Sequence, residues 1–430
     1  MEYKYIGYKI RLYPTQDQIK LFNEYFGLAR FVYNLALEIR DNQYQSYMRG
    51  ETDVKYLSYI SINNEIRRLR KTDPKYKWMC KYSSDTICTC IKDLLNGYMK
   101  FARGEVVNKP RFKTKKDLGS HSFPVRPDRM VITDNQVRIS SIGWVNCKYI
   151  DQKVYGSGDK NVKNLNYINF VNPRVSYDGC YYWISFEIKT CLDDEIISYN
   201  SNYNYLYNQE YQLKEYNKAI GIDLGCKKDN WIVMSDGYRQ SLPDFHLEKR
   251  KIAKLFRKAS RQRRINKEKS ERTNPINNQY MNPSNNEYKT NKKINKYYKK
   301  MVNKRLDSIY KAAKHILELK PEAVIMENLK SSGIINDFRT MNYGKRKVNE
   351  MIYDSAFHSI QTKFSYILSS NSIPLYLAPS DFPSTQLCSN CGNIQRVGKK
   401  RIYRCPNCGL IINRDDNAAI NLSNWYYSRC

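Results

Sequence analysis

Four cysteines arranged as two C-x-x-C pairs, Cys388 with Cys391 and Cys405 with Cys408, constrain this chain more than any other feature. Each pair lets two thiolates grip one ion from a tight turn. Two pairs about a dozen residues apart fill a tetrahedral shell without water, which predicts a structural Zn2+ and a zinc ribbon over residues 384–410. Gly392 and Gly409 supply the small turn residue after each pair, and Arg396, Lys399, Lys400, Arg401 and Arg404 lie between the pairs. Two disulfides are the competing reading. They fit poorly, because no secretory signal pattern opens the sequence and the eight other cysteines show no pairing logic. The expected setting is intracellular and reducing. Arg414-Asp415-Asp416 follows almost directly, so a metal-held element and a candidate carboxylate share one region.

Charge narrows the partner. The 430 residues carry a formal net charge of +31, for which a polyanion is the natural counterpart. No apolar run reaches the length of about eighteen residues that a membrane helix needs, so nucleic acid is expected rather than lipid. A basic structural or ribosome-associated protein is the bland alternative. The abundance of Asn, Lys, Ile and Tyr also suits an AT-rich genome, which inflates the basic count.

Along the chain, Tyr3 to Leu12 alternates as a strand and stops at Tyr13-Pro14-Thr15. Thr15 and Gln18 form a capping box, and Ile19, Phe22, Phe26, Ala29, Val32, Leu35 and Ala36 recur at helical spacing. Helical patterns return over Tyr59–Arg70 and Ser84–Arg103. After Gly104 the period changes. Lys109-Pro110-Arg111-Phe112-Lys113 is a rigid basic segment with an aromatic, suited to lie along phosphates and stack on a base. Short alternating runs near Val131, Val137–Ile139, Trp144–Lys148, Val175–Tyr177 and Tyr181–Ile188 then predict a small β-barrel or sandwich. The Asn- and Tyr-rich stretch 198–217 reads as a linker or insertion, with a domain boundary near 217.

Beyond it, Gly221-Ile222-Asp223-Leu224-Gly225 and Trp231–Met234 read as a buried strand that presents one Asp and reverses into a second strand. That opening suits a ribonuclease H-like fold, and equally the phosphate-binding strand of actin-like ATPases; the further Gly-rich loops of such an ATPase are not found. Pro321–Leu329 gives another buried strand ending in Glu327, and Arg414–Ile420 places Asp415 at a helix start, with Asp416 as the rival for that third position. Three acids at the ends of separate elements suit two-metal phosphodiester cleavage, in which ions about 3.5–4 Å apart share carboxylates. Hard oxygen ligands select Mg2+ or Mn2+. Between the first two acids lie a basic helix over 247–269, a polar and loose stretch over 274–291, and a helix over 292–319. The basic helix reads as an electrostatic groove, or more blandly as a solvated surface.

The succession of YPT, Arg30-Phe31-Val32-Tyr33-Asn34, KPRFK, IGWV, GIDLG, MENL, the two cysteine knuckles and RDDNAA resembles the TnpB family, whose relatives include Fanzor proteins and compact type V CRISPR effectors. The motifs run from residue 3 to 422. The resemblance implies a multidomain α+β chain: a helical recognition domain at 11–105, a β-barrel wedge domain from 1–10 and 106–195, a linker at 196–217, a ribonuclease H-like (RuvC) nuclease domain from 218–383 and 411–430, and the zinc ribbon at 384–410. It implies an RNA-guided DNA endonuclease of a mobile element, bound to a guide RNA from the transposon end and cutting double-stranded DNA beside a short adjacent motif. The catalytic triad and Mg2+ or Mn2+ ligands would be Asp223, Glu327 and Asp415, the zinc ligands the four cysteines, and the nucleic-acid contacts Lys109, Arg111, Phe112 and Lys113. A nuclease-silent RNA-guided repressor and a strand-transfer transposase are the alternatives; the intact acids disfavour the first. A monomer without a membrane partner is expected, cytoplasmic in a prokaryote, nuclear or viral-factory-associated in a eukaryote or large DNA virus. Asn413 stands where many relatives have an acidic residue.

Overall fold

Strict alternation from Tyr5 to Tyr13 leaves Ile6, Ile10 and Leu12 buried and makes the first element a strand with one apolar face. The computed structural model describes residues 3–115, 118–148, 156–159, 166–191, 218–273, 284–329, 343–398 and 400–428. The chain divides into two units, Met1–Tyr205 and Leu206–Cys430. The division and the expected linker at 196–217 lie outside the described residues.

In the first unit, β1 (Tyr3–Tyr13) precedes three helices, α1 (Gln16–Met48), α2 (Tyr59–Thr72) and α3 (Ser84–Ala102). The Thr15–Gln18 capping box forms in both directions, and α1 runs a further three turns beyond its predicted apolar stripe. Then come β2 (Ser122–Pro124), β3 (Val131–Ile132), β4 (Gln136–Ile139), β5 (Gly143–Cys147), β6 (Gly156–Ser157), β7 (Phe170–Tyr177) and β8 (Tyr182–Cys191). They join β1 in one sheet of order β2-β7-β8-β1-β5-β4-β3-β6. Its buried face and the helices share one core that includes Phe22, Phe26, Phe123, Val145 and Phe186.

The expected barrel is not what forms. Among the described residues the sheet is open, ending on β2 and β6. β2 has three residues and ends in Pro124, and β6 has two, so neither offers a ladder long enough to close on another strand.

The second unit contains β9 (Ile220–Lys227), β10 (Asn230–Met234), β11 (Arg239–Gln240), α4 (His246–Thr273), α5 (Asn285–Leu319), β12 (Val324–Glu327), α6 (Tyr343–Ser355), α7 (Phe357–Ser370), β13 (Leu375–Ala378), β14 (Ile402–Arg404), β15 (Ile411–Asn413) and α8 (Arg414–Tyr427). Its main sheet has order β11-β10-β9-β12-β13, antiparallel from β11 to β9 and parallel from β9 to β13. α4 and α5 form a hairpin held by buried Glu248, which meets Lys300 at 3.1 Å and Lys304 at 3.0 Å. Residues 285–291, expected to be loose, are the first turns of α5. Ser284 caps that helix by accepting from the Glu287 N–H at 3.2 Å, and Glu287 is itself buried against Arg263. That cap and ion pair outweigh the poor helix propensity of the asparagines. Residues 274–283 lie outside the described set.

Candidate active site and metal centre

The site is built on β9. Register places Met326 beside Ile222 on the parallel neighbour β12, so Glu327 follows beside Asp223 on the same face. The glycines on either side of Asp223 explain the GIDLG pattern. A Cβ on Gly221 would lie 2.0 Å from the Ala419 carbonyl oxygen and 2.5 Å from the Ser423 nitrogen, so only glycine lets α8 lie directly on β9. A Cβ on Gly225 would meet the Asn230 carbonyl oxygen at 2.0 Å, so the same is true of the turn into β10. α8 is further stitched to the start of β9: the Ser423 hydroxyl donates to the Ala219 carbonyl at 2.7 Å, and the Ala219 N–H donates to the Tyr427 hydroxyl at 2.7 Å.

This packing carries Asp415, in the first turn of α8, towards Asp223. Both are buried. Burial first, then the negative charges of Glu327 and Asp415, push the Asp223 carboxyl well above its usual range, with the Arg414 guanidinium pulling the other way. Burial also raises Glu327, opposed by the hydroxyl of Ser384, which donates to its Oε1. Three acids from three elements therefore feel one another in a poorly solvated place, an arrangement that favours a bound cation. Among the described residues only the four cysteines bring three or more ligand atoms within 4.8 Å of one another, so the three acids are neighbours in the fold without forming a closed ligand cluster. Hard oxygens are the ligand type that Mg2+ and Mn2+ take.

The two candidates for the third acid part company. Asp415 Oδ2 accepts from Asn230 Nδ2 at 2.5 Å and its Oδ1 from Arg414 at 3.1 and 3.2 Å. Asp416 is half-buried in an ion pair with Arg239, whose other nitrogen donates to Asn230 Oδ1 at 2.9 Å. Asn230 thus ties Asp415 to the Arg239–Asp416 pair. Asn413 accepts from the Asp415 N–H at 2.9 Å as the N-cap of α8. A neutral side chain fills that role as well as an acidic one. Sequence reasoning missed Asn230, Arg239 and Ser384. Only Ser384, four residues before the first knuckle, sat inside a recognised motif.

The four cysteines come together as spacing requires. Their sulfur atoms all lie within 4.8 Å of one another. Cys388 and Cys408 are 3.6 Å apart, Cys391 and Cys405 3.5 Å, close to the ~3.8 Å expected for sulfurs on one tetrahedral zinc with ~2.3 Å bonds. Gly392 and Gly409 adopt φ of 74° and 72°, and their N–H groups return to the Cys388 and Cys405 carbonyls. The donor set can hold Zn2+. Two asparagines one turn apart on α8 bind this ribbon to the acids. Asn417 donates to the Leu387 carbonyl at 2.6 Å and accepts from the Ser389 N–H at 3.0 Å, while Asn421 donates to the Ser384 and Leu387 carbonyls, each at 2.7 Å.

In the first unit, Lys109, Arg111 and Phe112 are exposed. Lys113 instead turns inward: its Nζ sits 3.7 Å from the centre of the Tyr33 ring, and its backbone N–H and carbonyl are both bound by the Asn34 side chain at 2.8 and 2.9 Å. Burial lowers its pKa. The RFVYN and KPRFK motifs are two sides of one contact, and Lys113 anchors the segment rather than reaching solvent. A cleft of about 600 Å3 between α4, α5 and α6, lined among others by Lys249, Phe256, Tyr298 and Tyr353, includes none of the three acids.

Comparison with known proteins adds relatives. Residues 1–49 match a family model described as a helix-turn-helix domain; here they are β1 and the long α1. Residues 357–422 match the Cas12f1-like TNB domain. TnpB-like protein L79 of Acanthamoeba polyphaga mimivirus is 23% identical over 97% of this chain and 74% of its own length. A Streptomyces pristinaespiralis protein named "Putative RNA-guided DNA endonuclease" is 22% identical over 97% of this chain and 88% of its own. Among solved structures, the protein of a Cas12f1–sgRNA–target DNA complex aligns with a TM-score of 0.47 at 15% identity, covering 95% of this chain and 83% of that one.

Proposed function

The chain belongs to the TnpB family, and from that premise we propose that it is an RNA-guided DNA endonuclease that hydrolyses phosphodiester bonds at Asp223, Glu327 and Asp415. The observation that carries this reading is geometric: Glu327 follows beside Asp223 in the parallel ladder, and Asp415 opens the helix that packs directly on that strand at Gly221. Burial first, and then the charges of Glu327 and Asp415, raise the Asp223 carboxyl. Divalent metal, when bound, would activate water and stabilise the leaving oxygen. The chain's own residues do the holding: Asp223 and Glu327 from adjacent strands, Asp415 from the helix start, Asn230 and Arg414 fixing the Asp415 rotamer, and Ser384 fixing Glu327. Arg239 pairs with Asp416, whose charge reaches Asp223 more weakly than those of Glu327 and Asp415. The four cysteines hold structural zinc, and the ribbon steadies α8 through Asn417 and Asn421.

In this reading, residues 11–105 form the recognition domain, 1–10 and 106–195 the wedge, 218–383 and 411–430 the nuclease and 384–410 the ribbon. Guide RNA and double-stranded target DNA are the partners, with Lys109, Arg111 and Phe112 among their contacts. The net charge of +31 supports a polyanionic partner, and among the described residues no helix is long and apolar enough to cross a membrane. The test begins with expression of the chain beside its native flanking DNA and sequencing of the RNA that copurifies. A discrete RNA with a variable end is expected, and with Mg2+ it directs cleavage of matching DNA. Asp223→Ala abolishes cleavage and leaves RNA-directed binding intact. Absence of any discrete RNA refutes the guided reading, and cleavage by Asp223→Ala refutes the assignment of the acids.

A further inference from the structure

Asn230 closes the turn from β9 into β10, and its backbone has no room to shift. Its carbonyl oxygen lies against Gly225, where a Cβ would meet it at 2.0 Å, and it stands opposite Lys227 in the ladder. What remains free is rotation of the side-chain amide. The two ends of an amide have nearly the same shape and opposite polarity, one donating and the other accepting. With Nδ2 towards Asp415, the side chain donates to Oδ2. Turned end for end, it would aim a carbonyl oxygen at a carboxylate oxygen in a place where Asn230 and Asp415 are only 8% and 7% exposed.

Arg239 removes that choice. A guanidinium carries only donors, and Arg239 Nη1 reaches Asn230 Oδ1 at 2.9 Å, so the amide satisfies the arginine only by presenting its N–H group to Asp415. Arg239 itself stands on the two-residue edge strand β11, from which an unheld side chain would extend into solvent. Its Nη2 pairs with Asp416. The planar fork thus spans one amide and one acid with a fixed spacing that a lysine could not reproduce. As a stabilising ion pair this one counts for little, its side chains being 32% and 30% exposed. A carboxylate in the first turn of a helix is also favourable there without a partner.

We propose that Arg239 and Asp416 are positioning residues for the cleavage reaction: Asp416 holds Arg239, Arg239 sets the Asn230 amide, and the amide together with Arg414 holds Asp415. One lone pair of Asp415 Oδ2 goes to the amide, which leaves the other for a divalent cation. The two adjacent acids at the start of α8 then have different tasks, one facing the metal and the other orienting the group that orients it. These roles presuppose the proposed cleavage at Asp223, Glu327 and Asp415.

The test is a double-mutant cycle in the full chain with two readouts. Mn2+ binding to the chain freed of RNA is followed through the electron paramagnetic resonance signal of the free ion, the relevant binding being that which Asp223→Ala removes. Guide-directed cleavage of DNA gives the Mg2+ concentration for half-maximal rate and the rate at saturation. Arg239→Met is expected to weaken Mn2+ binding and raise the Mg2+ requirement about tenfold, with the saturated rate within about threefold of wild type. Where Asn230 is already alanine, Arg239→Met adds less than about twofold, because the arginine acts through the amide. Asp416→Asn follows Arg239→Met, and Asp416→Glu, which keeps the charge within reach of Arg239, recovers most of the loss. An equal step in both backgrounds, in either readout, overturns the relay, as does a loss of rate that added Mg2+ does not restore. If Arg239→Met does not fold by calorimetry, Asp416→Asn takes its place in the cycle. A wild-type chain that cleaves DNA while the cycle is additive loses only the relay, whereas a chain that cleaves no DNA with its guide loses the nuclease reading and the relay with it.

Discussion

Gly221→Ala tests the joint on which the site depends. The new methyl carbon would sit 2.0 Å from a backbone oxygen and 2.5 Å from a backbone nitrogen of α8, where ordinary carbon–oxygen contact is about 3.2 Å or more. Neither atom belongs to a side chain that can swing aside, so α8 must move off β9 by about 1 Å. Overpacking of this kind costs about 1–3 kcal/mol. The Ser423 and Tyr427 hydrogen bonds to Ala219 are weakened in the same movement, at about 1 kcal/mol each. A total of about 3–5 kcal/mol lowers the melting temperature of a domain this size by about 6–20 °C. Asp415 rides on the first turn of the displaced helix, and a misplacement of about 1 Å can reduce turnover by about a hundredfold. Differential scanning calorimetry and single-turnover cleavage below the melting transition measure the two effects separately. A melting temperature within about 2 °C of wild type together with cleavage within about threefold refutes the argument, because α8 could then not lie on β9 at the distance described.

Cys405→Ser removes one of four zinc ligands. Metal analysis should show loss of stoichiometric zinc, and cleavage should fall along with it, since the ribbon is tied to α8 through Asn417 and Asn421 and structural zinc contributes folding free energy directly. Asn230→Ala leaves Asp415 Oδ2 without its donor; a rise of about 10- to 100-fold in the Mg2+ concentration for half-maximal cleavage is expected, with RNA binding unchanged. Glu248 gives a pH dependence. Burial raises its carboxyl, but hydrogen bonds from Lys304 and Lys300 more than offset this and hold it at about 2, against 4.5 in the unfolded chain. Its stabilisation is complete above about pH 5 and is lost as pH falls through the folded value. The stability gap between wild type and Glu248→Gln, about 1–3 kcal/mol at pH 7, should therefore shrink below about pH 4.5 in thermal melts, and a gap that widens there would contradict the reading.

Local chemistry made much of this legible from sequence. The cysteine spacing fixed the metal-binding cluster because four thiolates on two turns have one compact way to meet. The Thr15–Gln18 box and the apolar stripe behind it located α1, since capping and periodicity act over a few residues. Alternation located most of the strands. How those strands close was not local: a barrel and an open sheet share the same alternation, and only the short edges at Pro124 and at Gly156–Ser157 decide between them. The choice between Asp415 and Asp416 was likewise open in the sequence, where two adjacent acids look alike. Helix geometry turns neighbouring side chains about 100° apart, and tertiary packing gives Asp415 to Asn230 and Arg414, and Asp416 to Arg239; the assignment of Asp415 as the third acid is part of the proposed function. Asn230 and Arg239 carry no motif of their own, and the knuckle motif that contains Ser384 gives no sign of its bond to Glu327, because these roles arise from atoms brought together across up to 185 positions of chain. Sequence determined which chemical groups are available; the approach of α8 onto a strand without side chains at Gly221 decided which of them meet.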